Sequence, residues 1–123
     1  MIASLLITVL LGLLGLFQLA LAAGAPLGRF AWGGQHDVLP PRLRAGSLVA
    51  IAIYALIALV ALDRGGRISL LPDAVAVVAM WVVFGYLVLA TLLNALSRSK
   101  PERYAMTPVT IALAALSLPL ALG

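Results

Sequence analysis

The sequence predicts an all-α membrane protein, folded as an antiparallel bundle of four transmembrane helices. Apolar residues make up 64% of the 123 residues, and only 10% are charged, whereas about 25% are charged in ordinary soluble domains. A soluble fold of this length has too little interior to bury so many apolar side chains, but in lipid they need no burial. We therefore expect a single membrane domain over residues 1–123, consistent with a mean hydropathy of +1.19.

The first predicted span covers residues 2–23, which as a helix would be about 33 Å long, enough to cross a bilayer. It ends in A-L-A-A-G-A, which is similar to a signal-peptidase site. No Lys or Arg precedes it, and the apolar run is longer than that of a signal peptide. We therefore expect a retained helix.

The longest polar connection covers residues 24–45. Helix-breaking residues recur along it: Pro26, Gly33, Gly34, Pro40 and Pro41. Phe30 and Trp32 are placed as interfacial aromatic residues would be. We expect a structured loop at the level of the lipid headgroups.

The remaining predicted spans cover residues 46–62, 74–96 and 106–122. Pro101 prevents the third helix from continuing into the fourth. Pro108 suits the first turn of the fourth helix. The predicted connection at residues 97–105 carries the densest run of charge in the chain.

Small and polar residues recur in each span at steps of three and four, as on one face of a helix. In the second span they are Ser47, Ala50, Tyr54, Ala58 and Ala61, and in the fourth Thr107, Thr110, Ala114, Ser117 and Ala121. In lipid, such residues allow close approach and hydrogen bonds between helices. On the third span we predict a stripe that includes Tyr86 and Asn94, opposite a lipid-facing side that includes Trp81. Three candidate polar residues lie within the membrane: Gln18, Tyr54 and Tyr86. The stripes either pack the helices together or line a pore.

Lys and Arg are distributed unequally among the connections. Residues 24–45 and 97–105 each carry three, whereas the connection between the second and third spans carries two. The positive-inside rule places the first two segments in the cytoplasm and both termini outside, and a protein of dual topology would show little such bias. The isoelectric point of about 10.4 therefore indicates contact with anionic lipid headgroups rather than with nucleic acid.

Several kinds of chemistry are excluded or disfavoured. No ionisable Asp, Glu, His, Lys or Arg lies within the predicted spans, although proton-coupled transporters usually need one there. The small multidrug resistance family has a Glu in its first helix and the fluoride channels have a Thr- and Phe-rich third helix, and neither pattern is present. With no cysteine and one histidine, no metal site and no cofactor is predicted.

The most varied polar side chains lie on the predicted cytoplasmic side. His36 and Asp37 could take part in acid–base work or headgroup binding, or could form a hydrogen-bonded turn. Asn94 could pack or bind a ligand, and Glu102 could pair with Arg103. No catalytic motif is present, so an enzymatic role stays open but is not favoured. The candidate ligand or headgroup residues are Trp32, Gln35, His36, Asp37, Arg42, Arg44, Asn94, Ser97, Arg98, Glu102 and Arg103.

The patterns L-P-P-R-L-R-A-G-S before the second span and N-A-L-S-R-S-K-P-E-R before the fourth resemble those of small four-span bacterial membrane proteins with no assigned activity. This resemblance covers most of the chain. It implies a four-span fold in a bacterial inner membrane.

Three functional hypotheses follow. The first is a protein that acts by association, as a homo-oligomer or as an accessory subunit of a membrane complex, with its basic face on anionic lipid. The second is an oligomeric transporter or channel for a small solute. The third is a lipid-binding or lipid-acting protein that uses the His36 and Asp37 patch.

Overall fold

The computed structural model describes residues 2–123, and within them the chain is all-helical, without a strand. Four helices, each long and apolar enough to cross a membrane, confirm the predicted fold class. Two short 3-10 turns, Gly28–Phe30 and Trp32–Gly34, lie between the first two helices. The helices are α1 (Ile2–Ala22), α2 (Pro41–Arg64), α3 (Asp73–Ala95) and α4 (Lys100–Leu122).

All four helices contribute to one apolar core, and α1 packs against α2 as α3 packs against α4. Gln18, late in α1, contacts Tyr54 near the middle of α2. Arg64, at the end of α2, contacts Leu120 near the end of α4. These contacts favour an antiparallel order, which stays a prediction. The core side chains are Ile7, Leu11, Ile57, Ala61, Met80, Val83, Leu87, Leu113, Leu120 and Ala121.

Two helices begin earlier than the predicted spans. Helix α2 begins at Pro41 instead of residue 46, because a proline is well suited to the first turn. Helix α4 begins at Lys100 instead of residue 106, because the Ser99 side chain caps it by accepting a hydrogen bond from the Glu102 N–H. The spacing of Ser99 and Glu102 is that of a capping box, a signal that would have located this start. Glu102 consequently lies in the first turn of α4 and not in a loop.

The predicted inward stripes agree with the structure on α2 and α4 but differ on α3. Ser47 and Ser117, from the α2 and α4 stripes, are both fully buried. On α3 the buried residues are Ala76, Met80, Val83 and Leu87, whereas Tyr86 is 41% exposed. Helix α3 carries apolar residues on all its faces. Hydrophobicity therefore does not distinguish the face that packs against other helices from the face that contacts lipid.

The loop between α1 and α2 folds over one end of the helices. Leu21, Ala31 and Leu39 form a second, smaller apolar core beneath it. The Gly28 N–H donates to the Asp37 carbonyl at 2.8 Å, which closes the loop on itself. The hydroxyl of Ser99, just before α4, donates to the Arg29 carbonyl. The loop is therefore structured, as predicted, and is attached to the start of α4.

Candidate functional site

A cavity of about 300 Å³ lies beneath this loop, and all four helices contribute to its wall. Its lining is mainly apolar, with a few polar side chains directed from different helices. The structure thereby combines residues that the sequence placed in two separate sets, one within the membrane and one at its surface. The candidate residues that line the cavity are Gln18, Trp32, Tyr54, Tyr86, Asn94 and Glu102.

Gln18 lies on the cavity wall, and its side-chain oxygen accepts no hydrogen bond from the described residues. Its side chain is 9% exposed, and its Nε2 donates to the Tyr54 hydroxyl at 3.3 Å. Its Oε1 is buried and accepts no hydrogen bond from residues 2–123. A buried acceptor without a partner costs about 1–3 kcal/mol, so this amide oxygen lowers the stability of the protein as it stands.

Glu102 contributes a buried carboxylate to the same wall. The residue is 7% exposed, and its Oε2 accepts a hydrogen bond of 3.2 Å from the Gly33 backbone N–H. Within residues 2–123 it forms no salt bridge. Arg103, the suggested local partner, instead directs its guanidinium to the Ser97 carbonyl and the Tyr104 hydroxyl. The charge of Glu102 therefore has no cationic partner among these residues.

Trp32 is held on the wall by an unusual backbone conformation. Its φ is +53°, and the next two residues, Gly33 and Gly34, have φ values of +77° and +72°. A bulky residue in this left-handed region is strained, at a cost of about 1–3 kcal/mol. The indole Nε1–H donates to the Ser47 hydroxyl at 3.4 Å. A Cβ at Gly46 would lie 2.9 Å from the ring, so glycine leaves space there for the indole.

The rest of the surface set lies outside the cavity. Gln35 and Asp37 are exposed and His36 is half-buried. The contact that Asp37 makes is through its backbone carbonyl, which closes the loop. Arg42 and Arg98 are exposed. Arg44 donates from its Nε to the Leu39 carbonyl at 2.8 Å, and the Ser97 hydroxyl accepts from the Ser99 N–H.

Some residues that line the cavity were not among the candidate site residues, including Phe17, Phe30 and Thr110. Phe30 was expected only as an interfacial aromatic residue. Thr110 belongs to the stripe of small and polar residues predicted on α4, so its inward position could be predicted from the sequence. No sequence pattern indicated where the backbone N–H of Gly33 would point, because its direction depends on the left-handed turn. Within residues 2–123, no three His, Cys, Asp or Glu side chains lie close enough together to hold a metal ion.

No family model, curated protein or solved structure matches this chain. The geometry of the cavity is therefore the basis on which a function can be inferred.

Proposed function

We propose that this protein binds a small amphiphilic ligand inside the membrane, in the cavity beneath the loop between α1 and α2. The observation that carries the proposal is the cavity itself, whose mainly apolar wall receives polar side chains from three different helices: Gln18, Tyr54 and Glu102. Ligand sites are typically concave and mostly apolar, with a few polar groups that orient the ligand. A ligand with an apolar body and one polar group would fit this lining.

The dimensions and lining of the cavity support this function. A volume of about 300 Å³ is at the lower end of the range for small-molecule sites. Leu11 and Leu113 lie on the wall contributed by the helix interiors, whereas Trp32 and Glu102 lie near the loop. An apolar body would pack against the leucines while its polar group met the loop end. Transport of the ligand by an oligomer would be an extension of this binding.

Filling the cavity tests the proposal. Ala50 lines it on α2, and Ala52, two residues further along the same helix, is exposed and outside it. Ala50→Phe should abolish binding of benzyltrimethylammonium, its neutral carbon isostere neopentylbenzene and phenylmethanesulfonate, while Ala52→Phe should not. Binding would be followed by fluorescence in a Trp81→Phe background, which leaves Trp32 as the single tryptophan, because the chain has two.

The fluorescence titrations would be made in detergent at matched free concentrations of each probe. Failure of the unmodified cavity to bind any of the three probes would overturn the proposal. So would unchanged binding by a folded Ala50→Phe variant.

A second candidate function is self-association through the outer face of α1. A Cβ at Gly12 or Gly15 would meet nothing within 4 Å, so packing within the chain does not require either glycine. Each glycine costs about 1 kcal/mol relative to alanine inside a helix. Both line a groove between α1 and α2 together with Ala55 and Ala58. Small residues of this kind let a second membrane helix approach closely.

We therefore infer that this groove accepts a second copy of the chain or a helix of another membrane subunit. Energy transfer between donor- and acceptor-labelled copies in lipid should fall in the double variant Gly12→Leu and Gly15→Leu. Gly85→Leu is the matched control, because Gly85 on α3 is equally unobstructed. An unchanged signal in the double variant would contradict association through this face.

We further propose that the protein lies in a bacterial inner membrane with the loop end in the cytoplasm. The loop, the start of α2 and the start of α4 lie together, so the six basic residues of segments 24–45 and 97–105 belong to one end. That end would contact anionic headgroups, and both termini would be outside. Because the chain has no cysteine, single-cysteine variants labelled in whole cells would report the orientation directly.

A further inference from the structure

We propose that the ligand carries a substituted ammonium group and that the Glu102 carboxylate binds this group. This inference rests on the proposed binding function and names the chemistry of the ligand. It depends on the charge of the cavity, on its aromatic lining and on the position of the carboxylate.

The cavity has an acidic residue and no basic one. Glu102 is the only Asp or Glu on the wall, and no Lys, Arg or His lines the cavity among residues 2–123. A buried charge without a partner is unfavourable because it has lost its hydration. The Gly33 N–H contacts one carboxylate oxygen, and the N-terminus of α4 also favours a negative charge. A cationic ligand would provide the counter-charge that residues 2–123 do not.

Aromatic rings are concentrated around the same space. The chain contains two Trp, three Tyr and three Phe, and five of these eight residues line the cavity. Ring faces attract ammonium groups, and quaternary ammonium ligands are bound in this way by aromatic cages. The strained backbone of Trp32 keeps the indole on the cavity wall, where it could contact an ammonium group. The five rings are Phe17, Phe30, Trp32, Tyr54 and Tyr86.

The basic residues of this end do not alter the sign of the site. Arg42 and Arg98 are exposed and lie outside the cavity, where water, salt and headgroups screen their charge. The Arg29 guanidinium lies over the Phe30 ring, 5.0 Å from its centroid, and Arg29 itself is exposed. An anionic ligand inside the cavity would therefore meet the carboxylate of Glu102 and no cation.

Two sources could supply this chemistry. One is a free lipophilic amine or quaternary ammonium compound. The other is the ammonium group of a zwitterionic phospholipid, whose chains would lie along the apolar wall. The recognised group is the same in both cases.

The first experiment compares ligand charges in the protein and in Glu102→Gln, which has nearly the same shape without the charge. Benzyltrimethylammonium should bind at least tenfold more tightly than neopentylbenzene to the unmodified site, and phenylmethanesulfonate should bind most weakly. Glu102→Gln should remove the advantage of the cation and leave the affinity for neopentylbenzene unchanged. Asp37→Asn is the matched control, because Asp37 is an exposed acid in the loop between α1 and α2, outside the cavity, and it should change neither affinity.

The result distinguishes the two proposals. Equal affinities for the cation and the neutral isostere, or equal losses in Glu102→Gln, would overturn the ammonium inference while leaving the binding function intact. Absence of binding by all three probes would overturn the binding function itself.

A second experiment separates the two sources. Affinity for benzyltrimethylammonium would be measured in nanodiscs of phosphatidylglycerol and an uncharged glycolipid, and in mixed discs in which phosphatidylethanolamine replaces the glycolipid, so that the surface charge is the same. Weaker binding in the mixed discs would identify the lipid headgroup as the occupant, and equal binding would identify a free amine. Equal competition by phosphatidylethanolamine in the Glu102→Gln variant would overturn the role of Glu102.

Discussion

The two ends of the helix assembly use polar side chains in opposite ways. At the end formed by the α2–α3 connection, Asp63 Oδ2 accepts hydrogen bonds of 2.8 Å from the Leu70 and Leu71 N–H groups. There, Arg64 Nε donates to the Leu120 carbonyl at 2.9 Å. At the other end, Gln18 Oε1 has no partner within residues 2–123, and Glu102 there has one backbone donor and no cation.

The difference separates an end whose charged side chains hydrogen-bond to backbone from an end that, under the proposed function, binds a ligand. Charged groups that hydrogen-bond to backbone stabilise a fold, because the charge strengthens those bonds. A buried carboxylate without a cation and a buried amide oxygen without a donor destabilise the protein. Under the proposed function, a cationic ligand would offset the cost at the carboxylate. Substitutions at the cavity end should therefore differ in effect from substitutions of similar residues outside it.

The largest effect is expected at glycines. Gly34 and Gly66 have similar φ values, +72° and +76°, but a Cβ at Gly34 would lie 2.4 Å from the Ser99 Cβ, and one at Gly66 would meet nothing within 4 Å. Gly66→Ala should cost about 1 kcal/mol, which is the strain of a left-handed alanine. Gly34→Ala should cost at least twice as much of the free energy of unfolding and should weaken probe binding. Equal costs in denaturant titrations would show that the loop does not rely on close contact with Ser99.

A smaller effect, of opposite sense at the two ends, is expected when a carboxylate becomes an amide. Asp63→Asn should lower the free energy of unfolding by about 1 kcal/mol, because two charge-assisted hydrogen bonds become ordinary ones. Glu102→Gln should leave stability unchanged or raise it slightly, because it removes a buried charge without a cationic partner. Both values would come from unfolding in detergent without ligand. A loss at Glu102 as large as that at Asp63 would mean that Glu102 has a structural role.

The smallest effect on stability is expected at Gln18. Gln18→Leu should change the free energy of unfolding by less than about 1 kcal/mol, because it removes an unpartnered acceptor together with one weak donor bond. Gln18→Leu should also weaken binding of benzyltrimethylammonium several-fold, because it removes a polar side chain from the cavity wall. Binding would be measured by Trp32 fluorescence in the Trp81→Phe background. Gln35→Leu is the matched control, because Gln35 is exposed and outside the cavity. Unchanged binding in Gln18→Leu would remove this amide from the site.

Some parts of the fold could be predicted from the sequence, and others could not. The four spans could be predicted because each apolar run is a local property of the chain. The start of α4 was also predictable in principle from the Ser99 and Glu102 capping pair. The buried face of α3 was not, because Met80 and Leu87 are no more apolar than the residues on its lipid-facing sides. In lipid, hydrophobicity does not separate buried from exposed positions.

The sequence by itself determined the class of protein and its four apolar helices, because a chain in lipid must satisfy its backbone hydrogen bonds within each helix. Only the tertiary structure decided that Gln18, Tyr54 and Glu102 share one cavity, since they lie on three different helices far apart in the chain. It also decided that the left-handed turn at Trp32 brings the Gly33 N–H to Glu102. Hydropathy is a property of each residue by itself. A site depends instead on the direction in which side chains and backbone groups point once the helices have packed.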